Sequence, residues 1–217
     1  MKSLIYRLLV LCVCIAFFSA ASWLSFSLSQ LFNQSLEIEE TRFTKVDKYG
    51  KHLSPDDGPW HCVYDSNTKL YWMVGRDDES PFDSYWSYSW YSEKLDIGVP
   101  DTGSCFYASA GCGTHHLISK ANELALCNNK HWRLPSQNEL LTLVQPSPKA
   151  GGATIHHAYF PQTKKGDYWT ASHSQEVTTN ALSYLKEGAV AVSFRTGDIK
   201  VLPYRTAAYV KLVSSKR

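Results

Sequence analysis

The N-terminal residues differ sharply in character from the rest of the chain. Lys2 and Arg7 are the only charged residues before Glu37, and an apolar run, residues 8–32, lies between Arg7 and Glu37. A basic start followed by an apolar stretch and small residues is typical of a secretory signal peptide, and cleavage after Ala21 fits that pattern. The run is also long enough to cross a bilayer as an uncleaved anchor. We favour cleavage, because serine and glutamine dilute the second half of the run.

This run also determines the expected compartment and domain boundaries. Basic residues precede it and glutamates follow it, so we expect the body of the chain outside the cytoplasm, whether periplasmic, secreted or membrane-anchored. We predict a signal peptide or membrane anchor over residues 1–32, a polar spacer over 33–41 and one folded domain over 42–215. The 217-residue chain is long enough to bury a core of ordinary size. If uncleaved, residues 8–32 would make the membrane a partner.

Four cysteines remain after the leader, and they are Cys62, Cys105, Cys112 and Cys127. An even number of cysteines in an oxidising compartment indicates two structural disulfides. No two of these cysteines are spaced as Cys-x-x-Cys, which argues against a zinc site and against a thioredoxin-like redox motif. Three connectivities are open to four cysteines, and the spacing does not choose among them.

Charge is distributed unevenly along the exported part of the chain. Without Lys2 and Arg7, 20 basic and 20 acidic residues remain, so the net charge falls from +2 to zero. Residues 37–150 carry 11 basic against 16 acidic residues, whereas residues 151–217 carry 9 against 4. This asymmetry indicates either two faces with different partners or a neutral surface whose charges are spread unevenly along the chain.

Hydrophobic periodicity predicts strands first, then two helices, then strands again, which is an α+β order. Residues 62–74 are typical of a β-hairpin, and the alternation over residues 84–91 favours a strand. Residues 114–127 predict a helix with Thr114 as its N-cap. Residues 189–202 predict a second hairpin with a Thr-Gly-Asp tip.

A second helix is predicted directly after the sequence Trp-Arg-Leu-Pro. The segment consists of Trp132, Arg133, Leu134, Pro135, Ser136 and, three residues further on, Glu139. Ser136 and Glu139 match a capping box, in which each side chain accepts a hydrogen bond from the other residue's backbone amide. Pro135 disfavours helical geometry at Leu134, so the chain should enter the helix from an extended segment. We expect Trp132 and Leu134 to be packed and Arg133 to contact nearby carbonyls or an acid.

Several motifs occur in a characteristic order along the chain. They are Trp-His-Cys-Val-Tyr-Asp from residue 60, Tyr-Ser-Trp-Tyr at 88–91, Gly-Ser-Cys ending at 105, Trp-Arg-Leu-Pro-Ser-x-x-Glu-Leu from 132, Tyr-Trp-Thr from 168 and Tyr-Val-Lys-Leu-Val from 209. With these motifs, residues 42–213 resemble the Lcl_C family, which is named after the C-terminal domain of a collagen-like bacterial adhesin. The family is similar to the C-type-lectin-like and formylglycine-generating-enzyme folds.

The resemblance implies both a fold and a class of function. It implies a compact, disulfide-bonded α+β domain of the C-type-lectin-like kind, with a twisted antiparallel sheet and two helices. Because the adhesin binds sulfated glycosaminoglycans, the resemblance also implies carbohydrate binding or surface adhesion. The expected partner is an acidic polysaccharide or a cell-surface glycan, and no nucleic acid is expected. The chain has no Gly-x-y repeats, so no collagen stalk is predicted.

On the same resemblance we prefer the disulfides Cys112–Cys127 and Cys62–Cys105. The helix between Cys112 and Cys127 counts against this choice, since about twelve helical residues span about 18 Å. The pairings Cys62–Cys112 with Cys105–Cys127 and Cys62–Cys127 with Cys105–Cys112 therefore stay open. The four cysteines match family positions of structural type, and the chain lacks the Gly-x-Ser-x-Gly motif. We therefore expect that the protein is not an enzyme. The alternatives are a structural or accessory envelope protein, anchored by its N-terminal segment, and a degenerate enzyme of the formylglycine-generating type.

Candidate ligand contacts lie mainly in the basic second part of the chain. They are Lys164, Lys165, Arg195, Lys200 and Arg205, together with the aromatic residues Tyr85 and Tyr91. If the cations converge, arginine would hold sulfate or carboxylate groups through two-point contacts and lysine would act as a point charge. Tyr85 and Tyr91 share one face of the predicted strand, and we expect the aromatic residues of the opposite face in the core.

An acidic loop offers an alternative site for a cation. It contains Asp77, Asp78, Glu79 and Asp83. Calcium prefers such oxygen ligands, but the spacing of these residues does not match an EF-hand loop. We therefore expect a solvated acidic loop and no cofactor, with calcium as the alternative.

Overall fold

The computed structural model describes residue 30 and residues 42–106, 111–145, 152–176 and 187–215. The chain divides into two units, Met1–Arg42 and Phe43–Arg217, and the strands and helices given below belong to the second. Apart from residue 30, the predicted leader and the predicted spacer lie outside the described residues. Within the described ranges, no helix combines the length and the apolar character that crossing a bilayer requires.

The first sheet contains the strands β1 (Phe43–Val46), β2 (Cys62–Asp65), β3 (Leu70–Met73) and β10 (Val213–Ser214). It is antiparallel, with the strand order β1-β2-β3-β10. The hairpin predicted for residues 62–74 is confirmed, because β2 pairs with β3 along its whole length. Within its turn, the Asp65 carboxylate accepts a hydrogen bond from the Asn67 amide at 3.0 Å. This side-chain contact gives the amide a partner inside the turn.

Each face of this sheet covers a separate part of the core. Val63 and Trp72 are paired in register and pack into one hydrophobic cluster, which also contains Phe194. Cys62 and Met73 form the next pair and pack into the other cluster, because successive side chains of a strand point to opposite faces. All four residues are at most 4% exposed. A slip of one residue in register would exchange the two sets, so the register is strongly fixed.

The second sheet is built around its longest strand. Its strands are β6 (Asp167–Trp169), β7 (Gln175–Glu176), β8 (Glu187–Ser193) and β9 (Ile199–Pro203), and a separate ribbon contains β4 (Tyr91–Ser92) and β5 (Ile97–Gly98). β8 pairs with the other three strands of its sheet, always in the antiparallel sense. The predicted hairpin at residues 189–202 is confirmed, and Gly197 takes a left-handed backbone at its tip (φ 88°). The single sheet of the prediction is thus divided into two four-stranded sheets and a ribbon.

The aromatic segment 84–91 is only partly the strand that its alternation predicts. Only Tyr91 belongs to a strand, while isolated bridges connect the remainder to distant segments, as between Tyr88 and Ala208. The prediction of a strand is therefore wrong for most of the segment, because its hydrogen-bond partners come from several parts of the chain. The expectation that its other face is core is confirmed for Tyr88 and Trp90, each 2% exposed, whereas Trp86 is only partly buried and packs against the same cluster.

The first helix, α1 (Thr114–Glu123), begins and ends differently from the prediction. Gly113 occupies the N-cap position, so the predicted N-cap at Thr114 is wrong. The buried Thr114 hydroxyl instead accepts the Tyr91 amide at 3.1 Å and donates to the Tyr91 carbonyl at 2.9 Å. These hydrogen bonds attach the helix to β4. The helix also ends earlier than predicted, because Ala125 adopts a left-handed backbone (φ 47°).

Two disulfides join Cys62 to Cys127 and Cys105 to Cys112, with Cα atoms 6.4 and 5.7 Å apart. The preferred pairing, Cys112–Cys127 with Cys62–Cys105, is therefore wrong, and one of the open alternatives is correct. The ten residues of α1 lie between Cys112 and Cys127. They span about 15 Å, whereas the Cα atoms of a disulfide are usually about 4.4–6.8 Å apart.

The second helix, α2 (Gln137–Leu141), starts where it was predicted to start. The capping box is confirmed: the Glu139 amide donates to Ser136 Oγ at 3.2 Å, and the Ser136 amide donates to Glu139 Oε2 at 2.7 Å. Arg133 donates two hydrogen bonds to the same carboxylate, at 2.8 and 2.7 Å, and a third to the Leu134 carbonyl. The bonds from Arg133 lower the pKa of the Glu139 carboxyl. The residues predicted to pack, Trp132 and Leu134, are buried.

Lys211 is the one buried cation among the described residues. Its side chain enters the core just before β10, the residue is 3% exposed, and its ammonium lies 4.6 Å from the centre of the Phe160 ring. Burial lowers the pKa of Lys211 from 10.5 to about 7, because the charged form is poorly solvated there. The folded state therefore binds this proton less tightly than the unfolded chain does.

Replacing Ser136 by Ala should destabilise the protein by about 1 kcal/mol, because the Glu139 amide loses its capping acceptor. The free energy of unfolding in urea measures the change. Ser119→Ala is the matched control, since Ser119 is exposed within α1, and it should stay within about 0.5 kcal/mol of the parent. Equal losses in the two variants would contradict the capping role.

Replacing Lys211 by Met should stabilise the protein at pH 7 by about 2–5 kcal/mol, because the parent must desolvate or deprotonate a cation on folding. Between pH 7 and 10 the unfolded parent binds more protons than the folded parent, so the stability of the parent rises with pH. The advantage of the variant should therefore shrink by about 1.4 kcal/mol per pH unit in that window. Urea unfolding at several pH values measures it, with the exposed Lys69→Met as control. A parent and a Lys211→Met variant with parallel pH profiles would refute this account.

Candidate functional site

Three of the predicted cations and one of the predicted tyrosines come together at one edge of the domain. The Lys164 ammonium lies 3.4 Å from the centre of the Tyr85 ring, which is a cation–π contact. The next residue, Lys165, accepts a long hydrogen bond at its carbonyl from Arg195 Nη2, at 3.5 Å. Tyr85 is 64% exposed, and the side chains of Lys165 and Arg195 also face solvent. We name Tyr85, Lys164, Lys165 and Arg195 the basic edge.

Backbone hydrogen bonds fix the loop that carries the two lysines. The Lys164 amide donates to the buried Tyr168 hydroxyl at 2.9 Å. Two residues later, the Gly166 carbonyl accepts the Phe194 amide at 2.8 Å, directly beside Arg195. The loop is thereby attached both to β6 and to the hairpin of β8 and β9. The lysines of the basic edge are thus held against the second sheet by hydrogen bonds.

The other two predicted cations do not add charge to the basic edge. Lys200 lies close by, but its ammonium is 2.9 Å from one oxygen of Asp167 and 3.3 Å from the other. Arg205 follows the far end of β9, where its carbonyl accepts the Thr102 hydroxyl at 2.9 Å. The predicted convergence is therefore partial: it brings together three cations of five.

The acidic loop is organised around Asp83. Its Oδ2 atom accepts the amides of Asp78 and Glu79, and its Oδ1 atom accepts the amide of Tyr85, each at 2.8 Å. Burial raises the pKa of the Asp83 carboxyl, but these amides and the charge of Lys164 outweigh it, so the pKa lies below its ordinary value. In the part of the chain that the structure describes, no three His, Cys, Asp or Glu side chains are placed to hold a metal ion.

Tyr91 lies in a different environment from Tyr85, on a groove of ≈ 420 Å³ beside the β4–β5 ribbon. Its ring centre is 4.8 Å from that of His115, which lies on α1. Trp90 lines the same groove, with its ring centre 5.2 Å from that of His173. Trp90 is buried, so the groove offers no open indole face. The two tyrosines that were predicted to share a surface are thus separated.

A second groove, of ≈ 550 Å³, contains residues that the sequence did not single out. Those that face it include Lys48, Tyr49, His61, Arg76, Leu124 and Asn128. They come from the turn after β1, the start of β2, the end of β3 and the turn after α1. No spacing pattern links such distant segments. The only local signal is Gly50, which predicts the turn that carries Lys48 and Tyr49. We name this cavity the Lys48 groove.

The comparisons with known proteins identify one family. The family model of the Lcl C-terminal domain matches residues 61–214 of the chain. The matched range contains both disulfides, α1 and α2, the Trp-Arg-Leu-Pro segment and the basic edge. It does not contain β1 or the turn that carries Lys48 and Tyr49. Neither the comparison with curated proteins nor that with solved structures gives a match.

Replacing Asp83 by Asn should destabilise the protein by about 1–3 kcal/mol, because an amide has one acceptor oxygen for three backbone N–H groups. The difference in stability between the variant and the parent should narrow as the pH falls below 4. The pKa of Asp83 is lowered in the folded state, so the Asp83 carboxylate stabilises the parent only where it is ionised. Thermal unfolding measures both effects, with the exposed Asp77→Asn as control. Added calcium should leave the melting temperature of the parent unchanged. A calcium-dependent rise that Asp83→Asn abolishes would contradict this structural role.

Proposed function

Because the chain belongs to the Lcl C-terminal domain family, we propose that it is a non-enzymatic binding module for acidic glycans outside the cytoplasm. The basic edge is the proposed contact surface. The proposal takes the fold to be C-type-lectin-like, and the antiparallel sheets, two helices and two disulfides support that assignment. It requires no metal ion, because the oxygens of Asp83 are engaged by backbone amides.

The arrangement of Lys164 and Tyr85 is the observation that carries the proposal. An exposed tyrosine ring is a flat apolar surface on which the C–H groups of a sugar ring can pack, and its hydroxyl can make hydrogen bonds. The ring is 64% exposed, with the Lys164 ammonium 3.4 Å from its centre. Because Lys164 covers one face of the ring, a sugar would stack on the other face, with its carboxylate or sulfate group directed to the cations beside the ring.

Lys165 and Arg195 extend this surface with charge that is not cancelled locally. Neither side chain forms an ion pair with a residue that the structure describes. The nearby Asp167 is compensated by Lys200, at 2.9 Å. The planar guanidinium of Arg195 can bind a sulfate or carboxylate through two parallel hydrogen bonds, whereas Lys165 acts as a mobile point charge. Binding at such exposed groups should weaken as salt increases, because screening acts within about 8 Å at physiological ionic strength.

The disulfides support the non-enzymatic and extracytoplasmic parts of the proposal. Every cysteine in the described ranges is bonded to another, and disulfides persist mainly in oxidising compartments. No described cysteine is therefore available as the free thiol that an enzyme of the formylglycine-generating type would use. A structural envelope protein without a glycan ligand is the alternative function, and it predicts no specific retention in the experiment below.

The purified protein should bind a heparin column and elute at raised salt, and the double variant Lys165→Ala, Arg195→Ala should elute at clearly lower salt. The reason is the loss of two cations from the proposed contact surface. Tyr85→Ser should also elute earlier, although it changes no charge, because it removes the stacking surface. Elution conductivity measures each effect.

The matched control is Lys69→Ala, Lys130→Ala, which removes the same net charge at two exposed positions away from the basic edge. It should elute close to the parent. Elution of the parent at low salt would overturn the function. Equal shifts of both double variants would instead show that net charge, and not the basic edge, governs retention.

A further inference from the structure

We infer that the Lys48 groove binds a small organic monoanion, namely a carboxylate joined to an apolar body. The groove has a volume of ≈ 550 Å³, which is within the range of about 300–1,000 Å³ typical of small-molecule sites. Lys164, Lys165 and Arg195 do not line it, so it is distinct from the basic edge. The residues that carry the inference are Lys48, Tyr49, His61, Arg76 and Leu124.

Positive charge in the groove comes from two side chains with different constraints. Arg76 is held in place, because its Nε atom lies 3.1 Å from Asp78 Oδ2 and its Nη2 atom donates to Ser80 Oγ at 2.8 Å. Lys48 is exposed, and its ammonium has no described carboxylate as an ion-pair partner. Since Asp78 offsets the charge of Arg76, Lys48 supplies the one cation among the residues lining the groove that has no carboxylate against it. That charge suits a carboxylate better than a doubly charged phosphate.

His61 contributes a neutral imidazole to the lining of the groove. Its Nδ1 atom is buried and has no partner among the described residues. Burial, together with the charges of Arg76 and Lys48, lowers the pKa of His61, so the ring is neutral at pH 7 and adds no further charge. An unpaired buried polar atom usually costs about 1–3 kcal/mol. His61 lines the groove through the rest of its imidazole, so the lining there is polar but uncharged.

Apolar surface is exposed at the mouth of the same groove. Tyr49 is 72% exposed and Leu124 is 51% exposed, which are two of the largest exposures among the large apolar residues described. The Lys48 ammonium lies 4.9 Å from the centre of the Tyr49 ring, so a cation and an aromatic face are adjacent. A ligand with both an anionic group and an apolar body would use both features, whereas an inorganic anion would use only the charge.

One wall of the groove is held in an unfavourable backbone conformation. Ala125, Cys127 and Asn128 all have positive φ angles, of 47°, 52° and 57°, although none is glycine. Such conformations persist only where the surrounding structure imposes them, and they cluster at ligand sites. The disulfide from Cys127 to Cys62 joins this turn to β2, and Cys62 is adjacent to His61. The crosslink thus holds the strained wall against the polar end of the groove.

The turn that carries Lys48 and Tyr49 forms another wall of the groove, and its position is also fixed. A Cβ atom on Gly50 would lie 2.7 Å from the Cys127 carbonyl oxygen, so the turn that carries Lys48 and Tyr49 packs directly against the strained wall. The Asp47 carboxylate accepts the Tyr49 amide at 2.8 Å, which sets the shape of that turn. Because both walls are preorganised, little conformational entropy would be lost when a ligand binds.

Titration of the purified protein with phenylacetate, followed by NMR chemical shifts, tests the inference. Phenylacetate should shift the resonances of residues in the Lys48 groove at millimolar concentration. Phenylacetamide lacks the charge and acetate lacks the apolar body, so each should bind at least about 5-fold more weakly, a loss of about 1 kcal/mol. Lys48→Ala and Tyr49→Ser should each weaken phenylacetate binding by about 5- to 10-fold. Both residues are exposed, so the variants should keep the parent's melting temperature.

Lys51→Ala is the matched control, because Lys51 is exposed in the same turn but does not line the groove. It should bind phenylacetate like the parent, and so should Lys165→Ala, Arg195→Ala. Three results would each overturn the inference: no shift with millimolar phenylacetate, equal binding of phenylacetamide, or unchanged binding by Lys48→Ala. If Lys165→Ala, Arg195→Ala loses heparin retention but still binds phenylacetate, the two sites are separate. If Lys48→Ala loses phenylacetate binding but keeps heparin retention, the same conclusion follows.

Discussion

The disulfide between Cys62 and Cys127 is the constraint on which the rest of the structure depends. It joins a central strand of the first sheet to the turn that follows α1. From that turn the chain runs into the Trp-Arg-Leu-Pro segment, where the Asn122 side chain binds both backbone groups of Trp132. Arg133 then exchanges two backbone hydrogen bonds with Val213 of β10, in the same sheet. The segment that leads into α2 is therefore attached to the first sheet at both ends, by the disulfide and by the hydrogen bonds with Val213. This double attachment fixes the position at which α2 starts.

The features that the sequence predicted correctly depend on residues close together in the chain. The capping box needs only Ser136 and Glu139, which are three residues apart, and both hairpins follow from alternation and a turn. Failures occurred where a distant partner competed with the local signal. Thr114 has the chemistry of an N-cap, yet it binds Tyr91, which lies 23 residues earlier. The prediction of the disulfide pairing failed for a related reason, because the pairing depends on which elements pack together.

The candidate sites show the same division between local and long-range information. A basic second half was evident from composition, but the sequence did not reveal which cations remain unpaired. Lys200 meets Asp167 across 33 residues, because β6 and β9 lie on either side of β8. Lys164 meets Tyr85, a residue from the first part of the chain, so the basic edge combines both halves. The Lys48 groove was not foreseen, since four separate segments supply its residues.

Acidic and basic side chains are used differently in this domain, and that difference decides what its surface can bind. The carboxylates of Asp47, Asp65 and Asp83 all accept backbone amides in turns, and so does that of Glu139 at a helix start. A carboxylate used in this way keeps its charge, but its lone pairs are directed toward the protein. Lysine and arginine have no acceptor atoms and cannot stabilise turns by this means. Their donor groups are therefore left for carbonyls, rings and solvent, as at Lys165 and Arg195. Beyond residue 7 the chain has as many acidic as basic residues, yet the basic edge can thus present cationic donors to a ligand.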